Sequence, residues 1–63
     1  MQKSLYEVRE LLKRFHIFIY TGNDLNDAVL MELELEDLYE MKLIEDEEYL
    51  KARMIIKQVK SRH

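Results

Sequence analysis

Arg9, Lys13 and His16 stand at positions i, i+4 and i+7, and Arg53, Lys57 and Lys60 repeat that interval near the other end of the chain. On helices, each set forms one cationic stripe. That is the chemistry of phosphate contact, and Tyr6, Phe18 and Tyr20 add π-faces on which unpaired bases stack. Other reactive residue types lack the company that catalysis needs. The hydroxyls of Ser4, Thr21 and Ser61 have local roles in caps and turns, His16 follows Phe15, and His63 is the last residue. A single glycine, Gly22, cannot build a phosphate-cradling loop. Asn23-Asp24-x-Asn26-Asp27 has the look of a calcium loop, but Ala28 falls where an oxygen ligand is needed, so helix capping accounts for it better. The acidic run Glu45 to Glu48 reads as a solvated helix start. With no cysteine and two histidines, a zinc site of the usual kind is excluded. The expectation is a non-enzymatic protein with no metal, no cofactor and no small-molecule substrate.

The cationic stripes need helices to carry them, and the apolar spacing supplies three. Leu5, Val8, Leu11, Leu12 and Phe15 recur at steps of three and four, which predicts a first helix over about 5–16. Ser4 and Glu7 have the spacing of a capping box at its start. The β-branched and aromatic stretch Ile17 to Tyr20 fits either a helical extension or an extended strand. Thr21-Gly22-Asn23 then stops the chain, with Gly22 free to take positive φ. Asn23 or Asp24 caps a second helix over about 24–41, with Asp27 near its positive end. Its stripe is Ala28, Met31, Leu35, Leu38 and Tyr39, widened by Leu25, Val29 and Leu33, while Leu30 and Met41 fall toward the polar side. Ile44 and Tyr49 bracket the acidic turn of a third helix over about 46–61, as in a hydrophobic staple. The fold class is all-α, a compact three-helix bundle.

Sixty-three residues make one domain spanning 1–63, which must hold together by packing or by self-association because it has no disulfide. Met1-Gln2-Lys3-Ser4 leads directly into a charged amphipathic segment, and the longest apolar runs are too short to cross a bilayer. A cytoplasmic location with no membrane partner is the expectation.

Two resemblances follow from particular residues. Leu35-x-x-Leu38 with Leu43-Ile44, Glu48-Tyr49 and Ala52 resembles the helical hairpin of bacterial SHOCT modules, which usually carry glycine where this chain has Lys42. Over nearly the whole length, Ile19-Tyr20-Thr21-Gly22-Asn23, Asp27 with Met31-Glu32-Leu33-Glu34-Leu35, and the pairs Leu38-Tyr39, Leu43-Ile44 and Glu48-Tyr49 resemble the small bacterial YqgQ-like proteins. That resemblance implies a cytoplasmic three-helix bundle with no settled activity and no catalytic residues. It also brings a suggestion of single-stranded nucleic acid binding.

The net charge of −3 conceals three blocks: +2 over residues 1–20, −10 over 21–50 and +5 over 51–63. If the bundle runs up, down and up, Lys13, Arg14, His16, Lys57, Lys60 and Arg62 gather at one basic pole beside Phe18 and Tyr20. Phosphate contacts are then expected from Arg9, Lys13, Arg14, Arg53, Lys57 and Lys60, with Tyr20 or Tyr6 as the stacking platform. The rival account is that the acidic second helix, through Glu32, Glu36 and Glu40, pairs with its basic neighbours; the acidic total favours it. A protein adaptor or homodimer is the alternative role, because Leu30, Met41, Leu43, Leu50 and Met54 are hard to place inside so small a bundle.

Overall fold

A computed structural model describes residues 4–62, so His63 and residues 1–3 lie outside the described part. It contains α1 (Leu5–Lys13), α2 (Asp24–Glu40) and α3 (Asp46–Ser61) and, among the described residues, no strand. The three-helix reading is correct, and the ends of α2 and α3 fall within one residue of expectation.

α1 stops three residues early, and the reason is visible in its last turn. His16 takes the left-handed conformation, φ 60°, and the Ile17 N–H donates back to the Leu12 carbonyl at 3.1 Å. That six-to-one hydrogen bond is a Schellman ending. Ile17 and Ile19 then pack against the core from an extended stretch rather than a helix. The Ser4–Glu7 capping box is absent; the Glu7 N–H donates to the Ser4 carbonyl at 3.2 Å, and the Ser4 side chain makes no cap bond. At the start of α2 the expected devices form. Gly22 has φ 87°, and Asn23 Oδ1 accepts the Asn26 N–H at 2.9 Å as the cap of α2. The Glu45 N–H donates to Glu48 Oε1 at 3.2 Å at the start of α3. α2 ends on a second Schellman turn, with Lys42 at φ 61° and the Leu43 N–H donating to the Leu38 carbonyl at 2.9 Å.

α2 and α3 form an antiparallel hairpin and share the most extensive packing. Glu32 meets Lys60 towards one end, while Tyr39 donates to Asp46 and stacks on Tyr49 at the turn, with ring centroids 3.9 Å apart. α1 lies across this pair. Val8, Leu12, Met31, Leu35 and Ile56 form the driest part of the core. The stripe of α2 is narrower than expected, because Val29 and Leu33 are exposed and Leu25 is half-buried. Only two helices are available to cover α2, and its third side faces water.

Replacing the fully buried Leu35 with Ala is expected to cost about 2–5 kcal/mol in urea unfolding. Lys42→Gly is expected to raise stability by about 1 kcal/mol, since it removes a left-handed β-carbon penalty at an exposed site; an unchanged urea midpoint would count against strain at that turn.

Candidate nucleic-acid interface

Asp27 is one turn N-terminal to Met31 and two turns N-terminal to Leu35, so the buried face of α2 carries a carboxylate at its first turn. It has no exposed surface. Such an ion is tolerable only with its charge and lone pairs met, and three donors meet them. Arg9 Nη2 from α1 donates to Asp27 Oδ2 at 2.7 Å, while the Thr21 N–H and Thr21 hydroxyl donate to Oδ1 at 2.8 and 2.7 Å. Burial pushes the Asp27 pKa up, but the two Thr21 hydrogen bonds and the Arg9 hydrogen bond and charge outweigh it. The carboxyl is held below its ordinary value.

Arg9 also donates from Nε to the Ile19 carbonyl at 3.3 Å, and its guanidinium lies 5.2 Å from the Tyr20 ring centroid. The connector is thereby folded back along α1. A groove of about 290 Å³ opens there, lined by Arg9, Lys13 and Ile17 to Tyr20. Ile17 and Ile19 turn inward, leaving the alternate side chains Phe18 and Tyr20 at 71% and 80% exposure. One cation-backed ring, a second free ring and an ammonium therefore share one shelf.

The single basic pole does not form. Arg14, at the end of α1, pairs with Glu48 in the first turn of α3 at 2.8 Å, so that end of α1 sits beside the acidic start of α3 and not beside its basic end. The premise of an up-down-up bundle fails because the connector doubles back instead of reversing the chain once. The Arg14 hydrogen bond, followed by that of the Glu45 N–H, holds the Glu48 carboxyl below its usual range. Of the seven residues expected at the interface, Arg9, Lys13 and Tyr20 come together. Lys13 also bonds Glu10 at 2.9 Å, Lys60 bonds Glu32 at 2.8 Å, and Arg53 lies 6.0 Å over the Tyr49 ring. Lys57 is exposed on α3, with no ion-pair partner among the described residues, and Tyr6 is exposed on α1. Sequence reasoning missed the hub at Asp27. Its place at i−4 from Met31 on the apolar stripe was the available signal.

Among the described residues, no three carboxylate or imidazole groups converge to hold a metal ion, and no helix is long and apolar enough to cross a membrane. A family model described as YqgQ-like matches residues 2–62. The chain belongs to the YqgQ-like family. Nearly every residue of this member, the shelf and the Asp27 hub included, falls inside the match. No curated protein and no solved structure matches the chain.

A carboxylate whose folded pKa lies below its ordinary 3.8 contributes stability that is full above that value and is lost as the pH falls through the folded one. Asp27→Asn is therefore expected to be destabilised at pH 7 by about 3 kcal/mol, the lower end for a broken buried pair because Arg9 remains partly wet. The gap to the unmodified chain should narrow as the pH falls below about 4. Urea unfolding at the two pH values checks both; a gap that is constant with pH would remove Asp27 from the acid response.

Proposed function

We propose that this chain is a non-enzymatic cytoplasmic protein that binds single-stranded nucleic acid along the connector shelf. The observation that supports it best is the pair of exposed rings, Phe18 and Tyr20, on a groove that also holds Arg9 and Lys13. Bases stack on aromatic faces without regard to sequence, and a guanidinium behind the ring adds to the stacking. Arg9 is committed to Asp27 by one nitrogen and to Ile19 by another, so its role toward a ligand is to fix Tyr20 and lend positive potential. Lys13 is half exposed and its surface pair with Glu10 is weak, so it is the side chain free to turn to a phosphate. Arg53, Lys57 and Lys60 belong to another face of the molecule and stand outside this interface. One phosphate contact, from Lys13, and two stacked bases make a short footprint. Affinity is therefore weak and its salt dependence modest.

Fluorescence anisotropy with labelled oligo-dT and oligo-U at low salt tests the reading. Binding is expected with little preference between the two and a log–log salt slope of about −0.7 for one single-strand phosphate. Phe18→Ala, Tyr20→Ala and Lys13→Glu should each weaken it by roughly fivefold or more, while Lys57→Glu leaves it within about twofold. No binding at about 100 μM protein, or binding indifferent to salt and to these substitutions, would exclude the interface and leave the protein-adaptor role.

A further inference from the structure

The outward face of α3 carries a pattern that the fold does not use. Glu47, Leu50, Met54 and Lys57 stand at i, i+3, i+7 and i+10, the spacing of a helix–helix seam, and all four are exposed. Leu50 is 55% and Met54 63% exposed, beside a groove of about 350 Å³ bounded by Glu47, Lys51, Ile55 and Gln58. The charges of the helix are fully segregated. Residues 45–48 are all acidic, and the five charged residues from Lys51 to Arg62 are all basic.

From this we infer that α3 is a self-association surface whose partner is a second copy of the same helix, packed antiparallel about a two-fold axis level with Ala52. Under that symmetry Leu50 lies opposite Met54 of the other copy, and Glu47 lies opposite Lys57, twice over. The apolar pair closes the centre of the seam and the two ion pairs close its ends. A parallel arrangement instead sets Glu47 against Glu47 and Lys57 against Lys57. The segregated charge therefore selects the antiparallel copy, and an isologous contact of this kind closes as a dimer. Gln58 and the neighbouring groove wall lie where the partner's side chains enter.

The seam is short, about three turns of one helix, and falls below the standard interface size. Lys51 and Arg53 border it near the two-fold axis and oppose it, Arg53 less so because its guanidinium is drawn over Tyr49. Association is accordingly weak and concentration-driven. The seam shares no residue with the shelf, so the two readings stand or fall separately.

Sedimentation equilibrium of the full chain from about 10 μM to about 1 mM is the test. The expected result is a shift from the 7.7 kDa monomer toward the dimer across that range. Met54→Glu should weaken it about tenfold or more, with an unchanged circular dichroism spectrum because the site is exposed. Glu47→Lys and Lys57→Glu should each weaken it, and the double variant Glu47→Lys/Lys57→Glu should restore it, since every cross-pair is again of opposite sign. A monomer throughout the range, a dimer that ignores Met54→Glu, or a double variant no tighter than the singles would each overturn the proposal. A strict monomer would leave the face to a different protein.

Discussion

Burying the Asp27 carboxylate out of contact with water obliges three separate parts of the chain to reach it. α1 supplies Arg9, the connector supplies Thr21 twice, and α2 supplies the carboxylate itself at its first turn. In a chain of this size the apolar core is thin, and a charge left unmatched in it would cost more than several core contacts return. Closure therefore has to bring the connector home along with the helices. Once Thr21 is fixed on Asp27 and Ile19 on Arg9, the alternate residues Phe18 and Tyr20 have nowhere to go but outward. The exposed shelf is a consequence of the buried ion.

Charge elsewhere follows a looser rule. Helix two and the start of helix three hold most of the acid, and they draw cations from both ends of the chain: Arg14 to Glu48 and Lys60 to Glu32. Each of these surface pairs contributes little to stability. Their larger effect is on availability, because a lysine or arginine resting on a carboxylate presents less potential to a phosphate. What remains is a shelf whose one ammonium, Lys13, rests only on Glu10 of its own helix and, on a different face, a helix whose charge runs from acid to base along its length.

Two left-handed residues set the helix lengths. His16 and Lys42 both close Schellman turns without the glycine that would do so at least strain. The strain is sustained because the residues just beyond are anchored: Ile17 packs on the core, and Ile44 is buried.

The sequence by itself determined the number of helices, nearly all of their boundaries, a cap at Asn23 or Asp24 and the core stripe through Leu35. All of these depend on interactions between residues within four positions of one another, which spacing reports directly. It also located Leu50 and Met54 outside the core. It did not reveal the Asp27 hub or the fate of the cations. Arg9 and Asp27 are 18 positions apart, and Arg14 and Glu48 are 34 apart. Whether such pairs meet depends on the path of the connector, and Ile17 to Tyr20 read equally well as helix or as strand. Only tertiary structure decided that path, because a buried carboxylate gains its partners from the whole molecule at once and not from its neighbours in the chain.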